Sequence, residues 1–326
     1  MQYQNIMRAK YKLDGHIHRT PLTLSKTLSD ITGSTVYLKL ENLQKTGAFK
    51  VRGAWNRIAQ MTEAERARGV ITASAGNHAQ GVAMAAAQAG IASTIVMPVG
   101  APEAKIAATQ SYGSQVVLYG ANYDEAYEHA LQLAERSGAV FVHAFNDPHV
   151  IAGQGTIGIE IMDELPTVDA ILVPVGGGGL ISGIGLAVKA VRPETRIVGV
   201  QPEAADSGYR SWRAGAMQSV DRPLSVADGL AVKRPGDIPL AWMKEVVDDF
   251  TTVSERQIRD AMFWLLQRNK LLVEGAGAAP LAALLKGDLD LQGKRVVLVV
   301  SGGNVDFSKL ADLYAQQQSM AEPSPV

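Results

Sequence analysis

Apolar positions along this chain fall into two alternating kinds of run. Short stretches rich in β-branched residues are "STIVMP" from Ser93, "SQVVLYG" from Ser114, "AVFVHAF" from Ala139, "AILVPV" from Ala170, "RIVGVQ" from Arg196 and "RVVLVVS" from Arg295. Between them lie segments with helical periodicity, such as "YDEAYEHALQLAERSG" from Tyr123 and "SERQIRDAMFWLLQRNK" from Ser254. A strand apolar on both faces must be covered on both faces, and intervening helices supply the cover. The pattern predicts an α/β fold of doubly wound parallel sheets. Ser254 stands three residues before Gln257, the spacing of a capping box, which predicts a helix start there. Residues 206–239 break the alternation with Pro, Gly and charge. A long irregular stretch inside a compact domain tends to carry function.

Composition narrows the class of function. The 326 residues are 47% apolar and 19% charged, enough for one large core or two modest ones. A net charge of -1 and the lack of a Lys/Arg-rich block argue against nucleic acid or an anionic membrane as partner, leaving a small molecule. No apolar run approaches the roughly 20 residues of a membrane span, and "MQYQNIMRAKYKLDG" reads as a polar helix rather than a signal peptide, so a cytoplasmic location is expected. With no Cys there is no disulfide, thiol catalysis or Cys-ligated metal. The tail "QQQSMAEPSPV" is low in complexity, and fraying is expected over 319–326.

Four stretches carry chemistry. In "KTGAFKVRGA", Lys50 sits between Phe49 and Val51. A snorkelling, solvated lysine is the commoner role for such a residue. Apolar company points the other way, because a desolvated ammonium sheds its proton and a neutral amine forms a Schiff base with an aldehyde such as pyridoxal phosphate. In "AILVPVGGGGLISGIG", Gly176 to Gly179 lead a strand into a helix, letting backbone amides converge on an anion. The owner of that phosphate stays open, since Gly177-x-Gly179-x-x-Ser182 with Glu203 further on also approximates a dinucleotide fingerprint. In "ITASAGNHAQGVA", turn amides can hold a carboxylate and Asn77 can donate to a ring oxygen; otherwise Asn77 is a helix cap and His78 a partly buried surface residue. In "VVLVVSGGNVD", Ser301 emerges at the carboxyl end of a strand, where open α/β sheets bind ligands, or it is a plain turn residue. H-E-x-x-H, G-x-x-x-x-G-K-[ST] and G-x-S-x-G are all missing, so metalloprotease, P-loop and serine hydrolase readings drop out.

In this order and spacing the four stretches resemble the fold-type II pyridoxal phosphate enzymes, most closely the catabolic threonine/serine dehydratases, with serine racemases nearby. The resemblance runs from "HRTPL" at His18 to "SGGNVDFS" at 301–308. It implies a large cofactor-binding domain of residues 1–52 and 146–318, and a small mobile domain of residues 53–145, with the cofactor in the cleft. It further implies that Lys50 carries pyridoxal phosphate as a Schiff base, with Phe49 near the ring and Asn77 on its 3-oxygen. Gly176, Gly177, Gly178, Gly179 and Leu180 would cradle the phosphate, and Ser301 would meet the pyridine nitrogen. Ser74, Ala75, Gly76, Asn77 and His78 would take the substrate carboxylate, with Gly229 and Glu274 close by.

The implied reaction converts L-threonine to 2-oxobutyrate and ammonia, and L-serine to pyruvate and ammonia. A neutral Ser301 keeps the ring a weak electron sink, which favours prompt β-elimination over transamination. Serine racemases carry a Ser acid/base where this chain has Ala75, so racemisation is expected to be poor. Where racemase-like relatives hold a divalent ion, this chain has Gln201 and Ser207; no metal is assigned, although Glu203, Asp206 or backbone carbonyls remain as alternatives. The stretch after the Ser301 motif, about twenty residues, is too short for a regulatory domain, so feedback control is not expected. Relatives of this kind form homodimers or homotetramers. Competing readings are a dehydratase for 3-hydroxyaspartate or phenylserine, an NAD-dependent oxidoreductase, and a non-catalytic amino-acid sensor.

Overall fold

Ten strands form among residues 2–320, the part of the chain that the computed structural model describes. They are β1 (Leu22–Leu24), β2 (Thr35–Leu40), β3 (Val70–Ala73), β4 (Ser93–Met97), β5 (Gln115–Leu118), β6 (Val140–Phe141), β7 (Ala170–Pro174), β8 (Arg196–Pro202), β9 (Asp249–Val253) and β10 (Arg295–Val300). Two sheets result, one of six strands in the order β1-β2-β10-β7-β8-β9 and one of four in the order β5-β4-β3-β6. All pairs are parallel except that of the edge strand β1 with β2. Every residue of β3 and of β7 is buried, as strands covered on both faces require, whereas the edge strand β5 is half exposed.

Three strands, β1, β2 and β9, carry no continuous apolar signal. Lys39 interrupts β2, and β9 reads "DFTTV". Lys39 is nevertheless fully buried, because its Nζ donates to Glu160 Oε2 at 2.6 Å and to the Thr20 carbonyl at 2.7 Å. Glu160 in turn shares the Arg52 guanidinium with Glu41: Arg52 reaches Glu160 at 2.6 and 2.9 Å and Glu41 at 2.8 Å through both Nε and Nη2. Burial alone would lower the Arg52 pKa, and the two carboxylates overcome it, holding the guanidinium above its ordinary range. Taking one partner from such a cluster leaves a buried charge uncompensated and costs about 3–5 kcal/mol.

Glycines bind the helices of this region into one body. A methyl on Gly183 of the helix Gly179–Lys189 would overlap the Ile151 carbonyl of the helix Pro148–Glu164. One on Gly153 would lie 2.5 Å from the Arg52 carbonyl in the helix Lys50–Ile58. Packing at backbone distance therefore holds the start of the Lys50 helix and the glycine-rich loop in a fixed relation.

Other expectations meet the structure in detail. The Ser254–Gln257 capping box is present, but its helix ends at Trp264 and passes into a π turn at Leu265–Asn269. The segment 206–239 is less irregular than its composition, since Ser207–Ala214 form a helix. Residues 319 and 320 of the expected frayed tail continue the helix Phe307–Met320; 321–326 lie outside the described residues. Among the described residues, no helix is long and apolar enough to cross a membrane.

Candidate active site

Lys50 opens the helix Lys50–Ile58. Ahead of it, Ala48 forms an isolated bridge with Gly302, and the Phe49 N–H donates to the Ser301 carbonyl at 3.1 Å. Lys50 is thus stitched to the end of β10, beside the buried Ser301. Its Nζ donates to the Ala144 carbonyl at 3.2 Å and lies 5.1 Å from the centre of the Phe49 ring. Burial lowers its pKa to about 8, against a smaller raising pull from Glu274. A substantial fraction of such an amine is neutral near physiological pH.

Ser74, Ala75, Gly76, Asn77 and His78 form the turn from β3 into the helix Asn77–Ala89. The N-cap of that helix is Gly76, so Asn77 is not the cap. Its amide instead donates to Glu274 Oε1 at 2.8 Å and accepts from Asn304 Nδ2 at 2.8 Å. Ser74 Oγ accepts from the Gly76 N–H at 3.1 Å and tightens the turn. His78 is buried rather than a surface residue, and its Nε2 lies 2.9 Å from the Val142 carbonyl, which places the ring proton on that nitrogen. Burial, with the charge of Lys50, drops its pKa to about 3. The same two causes drop His143 to about 4, and its Nδ1 accepts the N–H groups of Phe145 and Asn146 at 3.1 and 2.9 Å. His143 was not singled out from the sequence, where its only signal is a place in "AVFVHAF" at the end of β6. Burial, reinforced by the charge of Asp228, raises Glu274 to about 8.

The glycine-rich loop follows β7. Gly178 has φ +90°, a conformation that favours glycine, and it caps the helix Gly179–Lys189 with no side-chain hydrogen bond. A methyl on Gly177 would overlap the ring of Phe145, the neighbour of the carbonyl that receives Lys50. One on Gly176 would stand 2.9 Å from the Gly229 carbonyl, so Gly229 also packs on this loop. Leu180 turns into the core cluster against which Phe49 packs.

Elsewhere, Ser25, Thr62, Asn122, Asp147 and Ser254 close helix N-termini with their own oxygens. The helices Asn77–Ala89 and Gly179–Lys189 begin on Gly76 and Gly178, and, like the Lys50 helix and several others, they have no side-chain acceptor for their first-turn amides. Free first-turn amides of this kind can hold an anion. Gln201 and Ser207 are engaged internally: Gln201 Oε1 accepts the Tyr209 N–H at 2.8 Å, and Ser207 Oγ donates to the Val232 carbonyl at 3.0 Å. Asp206 pairs with Arg210 at 2.7 Å.

A proton-labile amine, two uncapped helix starts and a neutral serine at a strand end are thus carried by two open α/β sheets. The chain belongs to the pyridoxal-phosphate dependent enzyme family, which matches residues 13–302. That membership sets aside the dinucleotide reading of the glycine loop. The chain is 53% identical to the L-threonine ammonia-lyase of Thermotoga maritima, over 94% of this chain and 76% of that one. It is 44% identical to the catabolic L-threonine dehydratase TdcB of Escherichia coli strain K12, over 95% and 94% respectively. Among solved structures, maize serine racemase superposes with a TM-score of 0.92 at 35% identity, covering 98% of both chains. A threonine deaminase from T.th. gives 0.90 at 40% identity, covering 94% of this chain and 99% of the other.

Proposed function

We propose that this chain is a pyridoxal phosphate-dependent ammonia-lyase that converts L-threonine to 2-oxobutyrate and ammonia, and L-serine to pyruvate and ammonia. The observation that carries the reading is the Lys50 amine, half-buried, lowered in pKa, facing a carbonyl, and stitched to the strand end that presents Ser301. Lys50 would hold the cofactor, with Phe49 beside the ring and Asn77 on its 3-oxygen. The amides of Gly176 to Leu180 would hold the phosphate, and Ser301 would meet the ring nitrogen. When bound, pyridoxal phosphate supplies an electron sink that acidifies the Cα–H bond of an attached amino acid.

The protein's own groups do the rest. The turn amides from Ala75 to His78, at the positive end of a 13-residue helix, orient the substrate carboxylate. Lys50 Nζ, with its pKa near 8, takes the Cα proton. His78 and His143 stay neutral beside it, so neither adds a second positive charge. Ala75 offers no proton on the opposite face, which supports elimination over racemisation.

We also infer that residues 53–145 close as one domain over residues 1–52 and 146–318 and exclude water. A cytoplasmic homodimer or homotetramer completes the reading; the resemblance and the amino-acid substrate support it. The test is ketoacid release from L-threonine, L-serine, 3-hydroxyaspartate and phenylserine, with D-serine followed in parallel. Threonine and serine should give ketoacid, with D-serine a trace. D-serine formed as fast as pyruvate would overturn the Ala75 argument, and preference for 3-hydroxyaspartate or phenylserine would reassign the substrate.

A further inference from the structure

We propose that Asn304 is a positioning residue that fixes the side-chain amide of Asn77 and so reserves one amide hydrogen of Asn77 for the cofactor. The proposal rests on the reading of Asn77 as the contact to the 3-oxygen. Asn304 Nδ2 donates to the Thr46 carbonyl at 2.7 Å and to Asn77 Oδ1 at 2.8 Å, which occupies both of its hydrogens. Because an amide nitrogen only donates, Asn77 must turn its oxygen towards Asn304. Its nitrogen then faces Glu274 Oε1 at 2.8 Å. A flipped Asn77 would set one NH2 group against another and lose the bond to Asn304. One hydrogen of Asn77 is committed to Glu274, and the second has no partner among the described residues.

Backbone shape keeps Asn304 in place. Gly47 has φ +71°, and a methyl there would overlap Asn304 Oδ1. The Gly303 N–H also donates to the Gly47 carbonyl at 2.8 Å. The Thr46-Gly47 turn just ahead of Lys50 is therefore the seat of Asn304, so one side chain joins the lysine segment, the β10 end and the Asn77 turn. Asn304 itself is exposed, and its removal opens no hole in the core.

The experiment is a double-mutant cycle with Asn304→Ala, Asn77→Ala and the pair, on the full-length protein. Its readouts are the dissociation constant of pyridoxal phosphate, the pH titration of the bound cofactor's visible absorption, and the melting temperature of cofactor-free protein. Asn304→Ala should weaken cofactor binding about fivefold, as one oriented hydrogen bond is worth. It should displace the absorption titration, leave the cofactor-free melting temperature unchanged, and add nothing in the Asn77→Ala background. Equal weakening in both backgrounds, a lowered melting temperature, or parent-like binding by Asn304→Ala would overturn the proposal alone. Parent-like binding by Asn77→Ala would instead remove the reading of Asn77 on which it rests.

Discussion

Lys50 and Arg52 leave the same helix two residues apart, Lys50 half-buried and Arg52 fully buried, yet only Arg52 meets carboxylates. Glu41 and Glu160 raise the Arg52 pKa against the pull of burial, so its charge is permanent. Lys50 is offered a carbonyl oxygen and a distant, itself protonation-prone Glu274, and its pKa falls to about 8. The same desolvation gives a structural cation where partners are supplied and a labile base where they are withheld. The Arg52 cluster also anchors the helix from which Lys50 projects, so the fixed charge serves the labile one.

That contrast can be broken at either end. Lys50→Ala should cut ketoacid release by about four orders of magnitude, the upper range for loss of a general base, while cofactor-free protein at neutral pH becomes no less stable, because a desolvated ammonium is removed. Retained turnover would remove Lys50 from its role. Arg52→Met strands Glu41 and Glu160 against each other and should cost about 4 kcal/mol in urea unfolding. A loss below about 1 kcal/mol would mean that the cluster is not the anchor described.

A pH series sharpens the comparison with a smaller effect. Lys50 has a folded pKa of about 8 against an ordinary value of 10.5. Between those values the unfolded chain binds more protons, so the stability of cofactor-free protein should rise as pH increases through that window. Lys50→Ala should abolish this rise. Arg52, charged throughout, should contribute no slope there, and a rise that persists in Lys50→Ala would have another source.

Much of the molecule was legible in advance because its determinants are local. Apolar runs announced β4 to β8 and β10, consecutive glycines announced the turn into the helix Gly179–Lys189, and the Ser254 cap announced a helix. β2 was missed because Lys39 breaks its run, and the carboxylate that neutralises that lysine, Glu160, lies 121 residues away. β9 was missed because its threonines give no apolar signal, although Phe250 and Val253 are buried.

Short segments alone settle the fold class and the glycine turns and single out Lys50 as a candidate, since these follow from side-chain apolarity and backbone freedom within a few residues. Which ionisable groups have partners is settled only when the chain folds. Asn77 meets Glu274 and Asn304 across 197 and 227 residues of chain, and His143 joins Lys50 only through folding. Charge state at the site depends on burial and on neighbours brought from afar, and neither is a property of any short segment.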